Sequence, residues 1–157
     1  SEEKLLQAYN ADLANGLGNL VQRVVTLIEN NMDGELIYDR VKLETENISQ
    51  ENYNKAVQEF RLHDALGEIW KIITKANQYI DEQKPWVQIK NDPKEFLESM
   101  TSLVEMIHTT AWLLQPFMPE TADKIAKIFG DDLSNKEIPE NYKFIVKKSG
   151  GLFPRIK

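Results

Sequence analysis

Apolar residues recur at Leu6, Leu13, Leu17, Leu20, Val24 and Ile28, mostly three or four positions apart, with polar residues filling the gaps. That spacing matches the 3.6-residue turn, so it predicts an amphipathic helix of about seven turns ending near Asn30-Asn31. Residues 31–49 are polar, contain the turn pair Asp33-Gly34 and read as a loop or short hairpin. Behind Ser49 as a cap, the period resumes through Tyr53, Val57, Phe60, Leu62, Leu66, Ile69, Ile73, Ala76 and Ile80. This predicts a second long helix that Pro85 stops, with the following residues in a loop. Asp92-Pro93 opens a third, whose buried stripe is Phe96, Met100, Leu103, Ile107, Ala111 and Leu114. A shorter fourth begins at Pro119-Glu120-Thr121, buries Ala122, Ile125, Ile128 and Phe129, and ends at Gly130. Residues 131–157 read as irregular chain anchored by Phe144-Ile145-Val146 and Leu152-Phe153-Pro154. Four amphipathic helices of unequal length specify an all-α bundle.

Length and charge narrow the picture. A chain of 157 residues forms one domain with a single substantial core. Net charge is −6, but it is segregated. From Asn141 onward there are five cations (Lys143, Lys147, Lys148, Arg155, Lys157) and no acid, leaving 14 cations against 25 acids, a net −11, in residues 1–140. The reading is a helical bundle over 1–140 with a basic strap, 141–157, as part of the same domain. Such a body does not hold nucleic acid through its overall field, so any RNA contact must be local and directed at bases. Cysteine is absent and the histidines are His63 and His108, which excludes disulfides, a thiol nucleophile and a zinc or iron site within the chain. No apolar stretch reaches bilayer length and no leader opens the chain, so a cytoplasmic origin and no membrane contact are expected. Ser1-Glu2-Glu3-Lys4 runs into helical periodicity without an initiator methionine and reads as the start of a fragment.

Catalytic machinery is missing from the pattern. There is no glycine-rich phosphate loop, and Lys147-Lys148-Ser149-Gly150 resembles one only loosely. Asp81-Glu82 reads as a helix end, Asp131-Asp132 as a surface turn, and both histidines as structural. The first helix offers more. Asn19 and Arg23 lie one turn apart on its polar side, with Asp12 and Asn15 extending the strip. An amide presents donor and acceptor side by side and a guanidinium presents a planar fork, the groups that hydrogen-bond the edge of an unstacked base. Trp86, held behind Pro85, either lids the core or offers a stacking platform. Packing of the first two long helices in antiparallel fashion would permit it to stand beside Asn19 and Arg23.

The runs Tyr9-Asn10-Ala11-Asp12-Leu13-Ala14-Asn15-Gly16-Leu17-Gly18-Asn19-Leu20-Val21-Gln22-Arg23 and Ala76-Asn77-Gln78-Tyr79-Ile80-Asp81-Glu82-Gln83-Lys84-Pro85-Trp86 resemble the anticodon-binding domain of methionyl-tRNA synthetase. So do Leu114-Gln115-Pro116-Phe117-Met118-Pro119-Glu120-Thr121 and Leu152-Phe153-Pro154-Arg155-Ile156, and the likeness spans nearly the whole chain. The resemblance implies the anticodon-binding helix bundle of class I aminoacyl-tRNA synthetases, contributing to a ligase that joins methionine to its tRNA with ATP. It implies that Asn19, Arg23 and Trp86 contact the CAU anticodon of methionine tRNA, with the wobble cytosine stacked on Trp86. It places ATP, and any zinc, in a catalytic domain outside this chain, and sets the basic strap against that domain or its linker. Two alternatives stay open: a helical domain of the isoleucyl, valyl or leucyl enzymes, and a four-helix module that binds protein through Trp86.

Overall fold

The first apolar stripe winds into α1 (Glu2–Met32), and its Leu13, Leu17, Leu20, Val24 and Ile28 are buried. In the computed structural model residues 2–43 and 49–147 are described, with side chains from Ala11 onward. Beyond α1 come β1 (Glu35–Ile37), a 3-10 turn, α2 (Glu51–Gln58), α3 (Leu62–Gln83), α4 (Pro85–Asn91), α5 (Pro93–Leu114), α6 (Pro119–Phe129) and β2 (Lys143–Ile145). α5 is the most deeply packed, contacting α1, α3, α4 and α6, and its Met100, Leu103, Ile107, Ala111 and Leu114 meet the Ile69, Ile73 and Ile80 side of α3 in one core. The all-α bundle is borne out, with one small sheet added.

The expected single helix from 50 to 84 is two helices. α2 ends in a Schellman turn: Arg61 N–H donates to the Ala56 carbonyl at 2.8 Å, Phe60 N–H donates to Val57 at 3.1 Å, and Phe60 itself takes φ +57°. Phe60 is 87% exposed and Leu62 is exposed too, so neither belongs to the buried stripe. The cap also shifts. α2 begins at Glu51 behind Gln50, and Ser49 Oγ accepts from Glu51 N–H at a long 3.4 Å. Pro85 likewise begins a helix rather than a loop: Lys84 swings to φ +49°, closes α3 by donating to Ile80 at 3.1 Å, and Pro85 starts α4 at a position whose missing N–H costs nothing. Trp86 is therefore fixed in the first turn of a helix.

Lys143–Ile145, expected as irregular chain, form a strand. β2 pairs antiparallel with β1 in the register Glu35 opposite Ile145, Leu36 opposite Phe144, Ile37 opposite Lys143. Two strands alone are marginal in water. These persist because Leu36 and Phe144 turn inward and are fully buried, while Lys143 pairs with Glu35 outside at 3.1 Å. The strap's Leu152, Phe153, Lys148, Arg155 and Lys157 lie outside the described residues. Among the described residues no helix is long and apolar enough to cross a membrane.

Gly130 and Phe60 hold the same left-handed cap with opposite suitability. Gly130, at φ +61°, closes α6 with the same Schellman bonding, and a Cβ there would lie 2.9 Å from the Ile145 carbonyl oxygen. A left-handed residue with a Cβ costs roughly 1–2 kcal/mol. Gly130→Ala should lower stability by at least that much, about 2–4 °C per kcal/mol in thermal melting at this size. Phe60→Gly should do the reverse and gain up to about 1 kcal/mol after glycine's entropy is deducted. Circular dichroism melts check both signs, and a lower melting point for Phe60→Gly would mean that packing of the ring outweighs the backbone strain.

Candidate nucleic-acid interface

α1 and α3 run parallel, not antiparallel. Seven residues along α1 from Gly16 lead to Arg23, and the partners move the same way along α3, from Trp70, Ile73 and Asn77 to Asp81. The two helices approach closely because position 16 lacks a side chain: a Cβ there would sit 2.9 Å from the Trp70 ring and 3.4 Å from Ile73. Asn77 donates its amide to the Gly16 carbonyl at 3.3 Å and to Ile73 at 3.2 Å, tying the pair together. Parallel packing carries the end of α3 past the middle of α1. The elbow at Lys84 then folds α4 back so that Trp86 faces that stretch.

The result is an open groove of about 700 Å³ lined by Asn19, Gln22, Arg23, Thr26, Leu27, Asn77, Ile80, Asp81 and Trp86. Asn19, Arg23 and Trp86 were predicted together from sequence and are brought together here. Trp86 is 44% exposed, which a core lid would not be. Asp12 and Asn15 do not line the groove, because it opens further along α1, where α4 supplies its far wall. Gln22, Thr26, Asn77 and Asp81 were missed. Gln22 and Thr26 lie on the same helical strip as Asn19 and Arg23, a signal the spacing contained, and Asn77 and Asp81 are one turn apart on the facing helix.

Arg23 is the best-defined polar group in the groove. Its guanidinium donates to Asp81 Oδ1 at 2.6 Å, with 36% of the Arg23 side chain and 65% of the Asp81 side chain exposed. An ion pair this exposed contributes about 0–1 kcal/mol to stability. Its effect is orientation: the guanidinium plane is held, and the remaining N–H groups stay available for another acceptor. Floor contacts are apolar, from Ile80 and Leu27, and Thr26 returns its hydroxyl proton to the Gln22 carbonyl at 2.8 Å. A flat ring is thus offered an apolar floor, an aromatic wall and polar groups along one rim. Among the described residues no three His, Cys, Asp or Glu side chains converge where a metal could sit.

Residues 32–149 match the family model for the anticodon binding domain of methionyl tRNA ligase. The chain belongs to the methionyl-tRNA ligase anticodon-binding family. Methionine–tRNA ligase of Caldanaerobacter subterraneus is 37% identical over 99% of this chain, and that of Oceanobacillus iheyensis is 33% identical over 98%. The free-state methionyl-tRNA synthetase of Mycobacterium tuberculosis superposes with a TM-score of 0.72 at 28% identity, covering all of this chain and 35% of that one. The chain spans about a quarter of the length of the ligases it matches, 27% and 26% of those two. It is an anticodon-binding domain of methionyl-tRNA synthetase, and the matched stretch contains Asn77, Asp81 and Trp86 while Asn19 and Arg23 precede it. The alternative of a sister synthetase's domain is set aside by that family match.

A second polar cluster of this anticodon-binding domain is structural, though not as the sequence suggested. Asp131, read as part of a surface turn, is buried against His108, with side chains 5% and 1% exposed. His108 Nε2 faces two carbonyl oxygens, of Asn135 and Lys136, each at 3.1 Å, so it must carry a proton and donate. Nδ1 lies 2.7 Å from Asp131 Oδ2, a contact that is attractive when Nδ1 is also protonated. Burial disfavours the charged ring, but the Asp131 hydrogen bond and charge, with help from the Asn135 carbonyl and Glu105, outweigh it and raise the pKa above the ordinary histidine value. Asp132, next to it, accepts from Ser134 N–H at 2.9 Å, which holds its carboxyl below the usual range. Because the folded pKa of His108 is raised, the stability it contributes is fully present below the unfolded value near pH 6.5 and is lost as pH rises through the folded value. The melting-point gap between the protein and Asp131→Asn should therefore be widest at about pH 6 and shrink on going to about pH 9. A gap constant over that range would show that the ring is neutral throughout.

Proposed function

We propose that this domain reads the CAU anticodon of methionine tRNA, stacking the first base, cytosine, on Trp86 and hydrogen-bonding base edges with Asn19 and Arg23. One observation carries the reading: a single groove gathers Asn19 and Arg23 from α1 and Trp86 from α4 around an apolar floor. Unstacked bases are recognised by this combination of an aromatic face with groups that pair to their edges. The charge distribution supports base reading over backbone grip. Arg23 is already neutralised by Asp81, and residues 1–140 carry a net −11, so this surface does not attract phosphates in general.

The whole protein would be a cytoplasmic ligase that attaches methionine to its tRNA. ATP and methionine would be bound by the catalytic domain of the same protein, as would any zinc. The present chain would supply selection of the tRNA, and the basic strap, 141–157, would lie against the catalytic domain or its linker. In that division of labour no bond is made or broken in the groove.

Stacking is worth about 1–3 kcal/mol per base, so Trp86→Ala should weaken binding of a CAU anticodon stem-loop about fivefold or more. Its melting point should hardly move, since the exposed ring leaves no large cavity behind. Asn19→Ala and Arg23→Ala should each cost more against the CAU stem-loop than against one with another triplet, narrowing the gap between them. Fluorescence titration with both RNAs measures this. A common factor of loss on both, with discrimination intact, would make Arg23 a phosphate clamp and defeat its assignment as a base reader.

A further inference from the structure

We propose that Asn77 is a specificity residue of this groove, its Oδ1 accepting a hydrogen bond from the exocyclic amino group of the base stacked on Trp86 and so favouring cytosine over uracil. The inference rests on the anticodon reading above and adds a residue and an atom to it. The starting point is the orientation of the amide. Both contacts of Asn77 Nδ2 are to backbone carbonyl oxygens, Gly16 at 3.3 Å and Ile73 at 3.2 Å. Carbonyl oxygens only accept, so a flipped amide would set an acceptor against two acceptors. Its hydrogens are committed and the side chain is held in place. What remains for the groove is Oδ1, an acceptor that cannot become a donor.

A fixed acceptor distinguishes bases by the group at one position. Cytosine carries an amino group where uracil carries a keto oxygen, and adenine and guanine differ in the same sense. An amino group meets Oδ1 with a hydrogen, whereas a keto oxygen meets it with a lone pair. Four other groove side chains can also accept: Asn19, Gln22, Thr26 and Asp81. Asp81 is highly exposed and gives Oδ1 to Arg23, and Thr26 is exposed on α1. All four are exposed, keep water as an alternative partner and can turn away from a keto oxygen, the amides of Asn19 and Gln22 by flipping as well. Asn77 is half-buried and tethered at two points, so it gains more from a partner and cannot evade a clash. Arg23 supplies donors only, which makes the two residues complementary: one rim donates, the other accepts.

The test is a cycle between one RNA atom and one side chain. The 157-residue chain is titrated with a CAU anticodon stem-loop and with the same RNA in which the 4-amino group of the first anticodon base is replaced by hydrogen. A neutral hydrogen bond corresponds to roughly 2–10-fold in affinity, so the parent protein should prefer the amino-bearing RNA by about that factor. Asn77→Ala should bind both RNAs alike, while Gln22→Ala and Thr26→Val keep the parent's ratio. Because each variant meets both RNAs in one preparation, any partial unfolding of Asn77→Ala cancels in the ratio. Preference retained in Asn77→Ala, or lost in Gln22→Ala or Thr26→Val instead, overturns the assignment even when Trp86→Ala weakens binding. If Trp86→Ala leaves the CAU affinity untouched, the anticodon reading itself fails and this proposal falls with it.

Discussion

The parallel contact of α1 with α3 at Gly16 is the constraint on which the rest of the molecule depends. With no side chain at position 16, the Trp70 ring and Ile73 close onto the backbone of α1, and Asn77 adds a hydrogen bond across the seam. This sets the height of one helix against the other. Arg23 consequently falls opposite Asp81, and the elbow at Lys84 brings Trp86 to the same level. A slip of one turn would move α1 by about 5.4 Å and separate the guanidinium from both. The groove is therefore a consequence of a packing decision made two turns away from its centre.

Parallel neighbours oblige the chain to travel back the length of the bundle between them, and β1, the 3-10 turn and α2 are the elements described between the two. A return path exposes backbone polar groups, which must find partners. β1 finds them in β2, more than a hundred residues later, and the 3-10 turn at Arg40–Lys42 is capped by Asp39, which accepts from Val41 N–H. Arg40 reaches across to Glu140, whose carboxylate accepts from the Arg40 N–H at 2.8 Å. Closing β1 in this way requires the chain after α6 to come back as well. His108 holds that segment by two carbonyls and a carboxylate from residues 131–136, buried at the side of α5. Tyr38, buried beside Glu105 of the same helix, has its phenol pushed well above the usual range by burial and by that carboxylate, so it stays a neutral donor.

What the sequence reveals and conceals follows from the range of each interaction. α1, α5 and α6 were legible, with the Asp92 cap that accepts from Glu95 N–H at 3.2 Å and the glycine stop at 130, because caps and stripes are local. The break at Phe60 was also written locally, as a step of two between Phe60 and Leu62 in a stripe that otherwise steps by three or four. It was obscured because an aromatic is an unusual occupant of a left-handed cap. The strand pair was not legible: three residues at Glu35–Ile37 carry no signal that names Lys143–Ile145 as partners. Nor was the burial of Asp131, which depends on a histidine 23 residues away. Of the groove, the α1 strip and the tryptophan could be read as chemistry. The direction of α3 could not, and with it went Asn77 and Asp81.

The groove's polar pairs stabilise the fold little and constrain geometry a great deal, and that division explains how an acidic domain suits the reading proposed for it. An exposed Arg23–Asp81 pair is worth about 0–1 kcal/mol, and the amide bonds of Asn77 about 0.5–1.5 kcal/mol each, against a core that contributes far more. Each nevertheless removes the freedom of a side chain to reorient toward an incorrect partner. A mobile guanidinium in a basic surface would seek phosphates, which every RNA presents. A guanidinium already satisfied on one edge, beside a carboxylate that repels backbone, keeps its remaining donors for an acceptor that arrives in the right plane. Discrimination then comes from the ordering of groups before binding, and the tight crossing at Gly16 is what maintains that order.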